Sequence, residues 1–417
     1  MTDGRTFSRR GFLKTVGAAA AGAGAATLLG GREAGAATAA AEGSAVPIPQ
    51  RVFGRTGRKV SALGLGTMFD TLENQIVLRR ALQLGVTYWD TADCYEHGNS
   101  EVGIGKYFAK YPEDREKVFL VSKSDDRDPE GMSKLLAQSL DRLKTDHLDL
   151  YLVHGIGAID EVDRPATRKW AEKAKADGKI KHFGFSTHKN MEDCLLAAAK
   201  LSWLDGILFT YNYRFLEDPK MRQAVEACSG AGIALVAMKY RGKGSSSVPE
   251  AEADKLWQPL TAKGWTDEQA KMKAVWEDRR IATQLSTMGS VAKLNAGVAA
   301  VTDQQPLSPA LRDALRHEAR ATRADWCAGC GARCEPAAEG VPVADVMRFL
   351  MYARGYGDLA RARSLVGALP ADVRARLASA DFAAAERACP NRLPIGRLMM
   401  EAARELSPDG RHQTSDV

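Results

Sequence analysis

Aromatic residues make up only 7% of these 417 residues, and past residue 31 nothing approaches the ~20 apolar residues of a membrane-spanning helix. No stable membrane span is expected. An excess of one charge is also missing: the net charge is +6, and the first 39 residues hold five basic and two acidic side chains, so the remainder carries only +3. With no stripe of interleaved basic and aromatic residues either, nucleic acid is excluded as a partner class. No glycine-rich phosphate loop follows the first strand candidate, which argues against an open doubly wound sheet. What is present is length and 45% hydrophobic composition, enough for one barrel-sized domain and a smaller one.

The first 39 residues read as an address. Ser8-Arg9-Arg10-Gly11-Phe12-Leu13-Lys14 precedes an Ala/Gly-rich run from Thr15 to Gly31, and Ala34-Gly35-Ala36 and Ala37-Thr38-Ala39 offer small-residue cleavage sites. The segment resembles a twin-arginine signal peptide. That resemblance implies the twin-arginine translocase as a partner during export, an extracytoplasmic location in the periplasm or beyond, and a cofactor inserted before transport. An uncleaved anchor is the alternative, and the run is short and poor in large side chains for that purpose.

From residue 50 to 321 short apolar runs alternate with amphipathic stretches, the pattern of a parallel sheet with crossover helices. Eight strands are predicted: Val60 to Gly66, Val86 to Asp90, Val118 to Ser122, Leu148 to His154, His182 to Ser186, Ile207 to Tyr211, Ile233 to Met238 and Gly297 to Thr302. Helices are expected at Glu73 to Leu84, Met132 to Leu143, Ala166 to Ala176, Met191 to Leu201 and Met221 to Cys228, with Gly85, Gly178 and Gly232 as stops. Arg51 to Lys59 reads as a hairpin closing the barrel bottom. Eight units in this length give an α/β fold, a (β/α)8 TIM barrel. A long insertion from Gly242 to Gly264 would lie over its mouth. Residues 322 to 409 read as a small all-helical domain, with periodicity at Val343 to Arg354, Leu359 to Leu369 and Val373 to Ala388; from Gly410 on, disorder is expected.

The sharpest motif is Trp89-Asp90-Thr91-Ala92-Asp93-Cys94-Tyr95, then Gly98-Asn99-Ser100-Glu101, at the end of the second predicted strand. Lys123 and His154 end the third and fourth. All would arrive at the mouth, where barrel enzymes place their chemistry. Carbonyl reduction needs a proton donor to the oxygen as hydride reaches the carbon, and a phenol is reluctant at a pKa of about 10. Tyr95 would be that acid, Lys123 would bring its pKa toward neutrality, Asp90 would hold Lys123 charged, and His154 would orient the substrate oxygen. The segment resembles the aldo-keto reductase signature, and the resemblance implies Asp90, Tyr95, Lys123 and His154 as a catalytic tetrad. Cys94 reads as a packing residue, with a redox role as the alternative; His188 reads as a loop histidine or a substrate contact.

The same resemblance places a nicotinamide cofactor, NADP(H) or NAD(H), against Gly66, Thr67, Met68, Asp90, Ser186, Thr187, Met238 and Lys239. The pocket departs from the family pattern in places: Thr187 replaces an Asn, Leu208 a Gln, and Met238 a stacking ring. In the eighth unit, read as Val301 to Leu307, Asp303 stands where a glycine followed by Ser, Lys or Arg would bind the adenosine phosphate, and its charge would repel one. A different reductant, or no exchangeable cofactor, therefore stays open.

Four of the seven cysteines form C-x2-C-x3-C at Cys327, Cys330 and Cys334, followed at a distance by Cys389-Pro390. In two-cluster ferredoxins a trailing Cys-Pro serves the cluster of the other triplet. Loss of one triplet would leave these four closing a single 4Fe-4S site. One branch of the aldo-keto reductases carries such a ferredoxin-like C-terminal domain; zinc and disulfides are the alternatives. The combined reading is an oxidoreductase acting on a small carbonyl or alcohol, with a cluster that is either structural or supplied with electrons by an outside partner. The rivals are an iron-sulfur electron-transfer or redox-sensing protein whose barrel no longer binds nicotinamide, and a barrel that binds a ligand without chemistry.

Overall fold

Seven of the eight predicted strands form in a computed structural model that describes residues 47–244 and 266–407. The export segment, most of the Gly242 to Gly264 insertion and the residues from Gly410 lie outside the described residues. β1 (Gln50–Val52) and β2 (Lys59–Ser61) pair antiparallel as a hairpin. β3 (Leu63–Gly66), β4 (Tyr88–Asp90), β5 (Phe119–Ser124), β6 (Leu148–Ile156), β7 (Ile180–Thr187), β8 (Gly206–Thr210), β9 (Ala234–Met238) and β10 (Ile281–Thr287) close in chain order, with β10 beside β3. Every pair in the ring is parallel. The chain is a (β/α)8 barrel.

The hairpin plugs the barrel floor. Phe53, fully buried, packs 4.9 Å from the Phe119 ring and 6.2 Å from that of Tyr88. Val121, Leu150, Leu152, Leu208 and Val236 fill the layer above it. Gly85, Gly178 and Gly232 take φ of 82°, 73° and 74°, the left-handed stops that their positions after helices require.

The eighth strand is a correction. Gly297 to Thr302, predicted as a strand, is the second half of the helix Val291–Thr302, and the strand is β10, which precedes that helix in the chain. A six-residue apolar run fits a buried helix as well as a buried strand. The deciding signal is Ser290, whose hydroxyl caps the helix by accepting from the Lys293 amide at 3.3 Å. β10 itself, Ile-Ala-Thr-Gln-Leu-Ser-Thr, hides behind its polar residues.

The helix Pro309–Ala321 ends at the predicted boundary, and helices follow. Val346, Leu350, Leu377, Phe382 and Leu398 belong to a second buried cluster. Barrel and helices nevertheless fall in one compact unit. The predicted stretch Val373 to Ala388 is two helices, Ala371–Ser379 and Ala383–Ala388, broken where the Asp381 carboxylate accepts from the Ala383 amide at 2.9 Å. The helix Val343–Leu350 runs on into one π turn, Met351–Gly355. Among the described residues no helix is long and apolar enough to cross a membrane.

Candidate active site

Asp90 is the last residue of β4, and Lys123 and His154 lie near the ends of β5 and β6, so the three side chains rise together at the carboxyl rim. The Lys123 ammonium, with no exposure at all, donates to Asp90 Oδ1 at 2.7 Å, to the Thr91 carbonyl at 2.6 Å and to Tyr95 Oη at 3.1 Å. Tyr95 and His154 meet edge to face at 5.9 Å. Tyr95, Lys123, Asp90 and His154 are thus gathered into one cluster.

The loop that brings Tyr95 over is held by the rest of its motif. Glu96, His97 and Gly98 take successive φ values of 49°, 56° and 92°, a left-handed run that costs ~1–2 kcal/mol at each non-glycine. Ser100 repays the distortion, its hydroxyl meeting those of Thr67 and Thr91 at 2.8 Å each. Buried Glu101 accepts from Ser122 at 2.6 Å and pairs with Arg142 at 3.3 Å.

Electrostatics differ from expectation at the phenol. Burial raises the Tyr95 pKa, Lys123 lowers it, Asp90 raises it again, and the phenol ends pushed up to about 12. The Lys123 ammonium is held charged, since Asp90 and Tyr95 outweigh its burial. Lys123 lowers the phenol and donates to its oxygen, but burial, with Asp90 adding to it, outweighs that effect.

His154 has a partner that the sequence reading missed. Asp125 Oδ1 lies 2.6 Å from His154 Nδ1. Two residues after Lys123, Asp125 shares its side of the chain by the period of a strand, a signal available in the sequence. Burial lowers the His154 pKa despite that carboxylate, so the ring is neutral, with Nδ1–H donating to Asp125 and Nε2 left as an acceptor. Cys94 is exposed rather than packed as a residue, but its sulfur, 3.8 Å from His154 Nδ1, is partly desolvated, and that desolvation and then the Asp125 charge hold it as a thiol. Asp93, Cys94, Asp125 and His154 bring ligand atoms within 4.8 Å of one another. With the thiol protonated and Asp125 bonded to His154, the group is a hydrogen-bonded rim.

The residues expected around a nicotinamide divide. Gly66 lies in register with Asp90 and Thr287, at the same end of the barrel wall. Thr67 is structural, donating to the Asp90 carbonyl at 2.8 Å. Ser186 accepts from the Gly155 amide at 2.9 Å, and the Thr187 hydroxyl donates among the Ile156 and Lys189 carbonyls at 2.8 Å. Thr187 is spent on backbone. Met68 touches the Arg361 guanidinium, and Lys239 donates to Tyr352 Oη at 2.9 Å; both partners come from the C-terminal helical segment. Met238 packs partly buried against the barrel core. Moving the eighth strand also moves the phosphate segment: after β10 the chain reads Gly289-Ser290, with Lys293 in the first turn of the next helix. Asp303 caps the far end of that helix, beside Lys273 at 3.5 Å. Its repulsion of a phosphate at the mouth is withdrawn.

Cys327, Cys330, Cys334 and Cys389 line one small cavity with Val343, Leu393 and Ile395. None forms a disulfide. The Gly329 amide donates to Cys327 Sγ at 3.4 Å.

Residues 62–292 match the model of the aldo/keto reductase family. An uncharacterized oxidoreductase of Bacillus subtilis, YrpG, is 32% identical over 214 residues, 44% of this chain and 64% of the relative. The aldo-keto reductase yakc [NADP(+)] of Schizosaccharomyces pombe is 30% identical over 220 residues, 47% and 62% respectively. In both the chain spans less than two thirds of the relative's length. The holo form of an aldo-keto reductase from Bacillus halodurans superposes with a TM-score of 0.53 at 24% identity, over 65% of this chain and 96% of that one, a likeness of fold.

Proposed function

Since the chain belongs to the aldo/keto reductase family, we propose that it interconverts a carbonyl and an alcohol, with Tyr95 as the acid and base. One observation carries this reading: a wholly buried ammonium, Lys123, is bonded to Asp90 at 2.7 Å and to the phenol oxygen of Tyr95 at 3.1 Å. A phenol held near 12 keeps its proton throughout ordinary pH and is ready to donate it. As the proton leaves, the phenolate forms beside a fixed cation, so the charge it develops is stabilised with no reorganisation of solvent. His154 Nε2 accepts from a hydroxyl, which orients the alcohol side of the reaction.

A nicotinamide dinucleotide, which supplies or takes the hydride at the carbonyl carbon, fits the chain in part. Gly289-Ser290 at the start of a twelve-residue helix, with Lys293 beside it, suits its phosphates. At Thr187 and Leu208 the chain offers no side-chain amide to its carboxamide.

The four cysteines fit a 4Fe-4S cluster. They line an apolar cavity with an amide directed at one sulfur. Among the described residues, the groups whose ligand atoms all lie within 4.8 Å of one another do not include them, whereas Zn–S bonds of about 2.3 Å would draw four thiolates closer than that. The leader's features support twin-arginine export to an extracytoplasmic site after the cluster is inserted, which fractionation of cells producing the full chain would test.

Tyr95→Phe is the direct test of the reductase reading. We expect at least a ~100-fold loss of kcat on aldehydes, an unchanged nucleotide Kd, and, in the parent, no alkaline fall in rate from loss of the phenol proton until the pH nears about 12. An unchanged kcat would sink it. A second reading, a redox protein that no longer takes nicotinamide, is favoured by the engagement of Met68 and Lys239 by Arg361 and Tyr352. Failure of NADPH and NADH to bind the cluster-loaded protein would select it.

A further inference from the structure

A second lysine–tyrosine pair stands at the same mouth. Lys239 follows β9 in a left-handed conformation, φ 57°, which a lysine adopts only at a cost. Its ammonium lies 2.9 Å from Tyr352 Oη and 4.5 Å from the centre of that ring. Tyr352, 6% exposed, is carried by the π turn of the helical domain, a local irregularity that recurs at functional sites. The Arg361 guanidinium lies 4.6 Å from the same ring. Arg348, one helical turn before Tyr352, lines a cavity together with Lys239, His188, Thr210 and Met347.

The first pair has its carboxylate, Asp90; among the described residues the second has none. Arg348 is bonded to Asp345 at 2.8 Å, but among the described residues no carboxylate lies within 4.0 Å of the Lys239 ammonium or the Arg361 guanidinium. The other groups facing the cluster do not supply one. His188 is turned to Thr210 at 2.9 Å and kept neutral, chiefly by burial and then by Lys239 and Arg348. Tyr356 packs near Lys239 and Arg241, and Asp325, on the far wall of the cavity, lies 3.9 Å from Arg397. Burial would raise the Tyr352 phenol, yet Lys239, Arg348 and Arg361 bring it down to about 8. Arg348 keeps Asp345 as a partner, but Lys239 and Arg361 face Tyr352 without one among the described residues, and an oxyanion beside them would form charge-assisted hydrogen bonds.

We propose that Lys239, Arg348 and Arg361, with the Tyr352 hydroxyl, form a subsite for an anionic group of the carbonyl substrate, a carboxylate or a phosphate. The class of substrate is then an oxo acid or a phosphorylated aldehyde. This rests on the reductase reading for its substrate and on the rim alone for its anion. The phosphates of a dinucleotide are a separate matter, because Gly289-Ser290 lies beyond β10 and three of the four rim side chains come from outside the barrel.

The test uses the full, cluster-loaded chain. Benzoate and inorganic phosphate are titrated in without nucleotide near pH 8, following phenolate absorbance. An anion in the rim offsets the cations, so one phenol should gain its proton; Tyr352→Phe should erase the signal. Arg361→Met and Arg348→Met, each checked by circular dichroism for folding, should weaken binding ~10-fold or more, about 1.4 kcal/mol. Each should also raise KM for carboxybenzaldehyde ~10-fold more than for benzaldehyde. No oxyanion binding by the folded parent, equal KM shifts for the two aldehydes, or displacement of benzoate by NADPH in simple competition would overturn the assignment. Oxyanion binding that is lost in Arg361→Met, in a protein that turns over no aldehyde, would instead refute the reductase reading and leave the anion site standing.

Discussion

Without the Lys123 ammonium, Asp90 would be a carboxylate with no cation in a dry part of the barrel, since neither side chain of the pair is exposed above 3%. Removing one partner of such a pair costs ~3–5 kcal/mol, more than the pair itself contributes. Lys123→Met should therefore lose both turnover and about that much stability in urea. The loss should shrink in acid. Burial raises the folded pKa of Asp90 above its unfolded value, so the folded variant binds the extra proton, and stability recovers as the pH falls through that raised pKa. A loss that is the same at pH 5 and pH 8 would contradict the buried-carboxylate account. Much of this residue-scale chemistry was legible in sequence, because the Asp90 to Tyr95 motif and the strand-end Lys123 and His154 are local features. The altered phenol was not, since its pKa is set by how deeply the loop is buried.

Among the elements, the helices Asn99–Lys110 and Pro129–Leu143 show how tightly the motif loop is seated. A Cβ on Gly105 would fall 1.9 Å from the Arg142 carbonyl oxygen. In an exposed helix, glycine to alanine gains ~0.5–1 kcal/mol. Here the neighbour is backbone and cannot swing aside, so Gly105→Ala should reverse sign and destabilise by ~1–3 kcal/mol, read from urea midpoints. Arg142 also bonds the Asp93 carbonyl at 3.1 Å, so kcat should fall as well. A stabilised Gly105→Ala would mean that the two helices are further apart than described. Elements were read from sequence as well as their periodicity allowed. Seven strands followed from runs rich in branched residues, whereas β10 failed because Thr283, Gln284 and Ser286 dilute its apolar pattern while Gly297 to Thr302 imitates one. The helical break at Ala380 to Phe382 is held by a side-chain bond that periodicity does not register.

At the scale of the whole molecule, the cysteine loop is clasped to the barrel. Asn190 links to the Gly329 carbonyl and the Ala332 amide at 2.8 Å each, and Lys189 reaches Glu335 at 2.5 Å. The cavity of the four cysteines and the second buried cluster share Val343, Leu393 and Ile395. Cys389→Ser should lower the iron content and open the helical domain to proteolysis while the barrel's unfolding transition persists. If barrel and helices still melt together with full iron, Cys389 is not a ligand. Neither the clasp nor the roof of the mouth could be foreseen from the chain. Lys239 and Tyr352 are 113 residues apart, and nothing in either neighbourhood announces the other.

That separation orders events in time. Synthesis runs from the amino terminus, so Tyr95, Lys123 and His154 are made and can fold long before Arg348, Tyr352 and Arg361 leave the ribosome. A nascent chain halted before Val343 would hold the buried Lys123–Tyr95 pair with Lys239 as the one member of the proposed rim already made. The barrel could then meet neutral carbonyl compounds well before it could tell an acid from its neutral analogue. Discrimination would be the last property this molecule acquires.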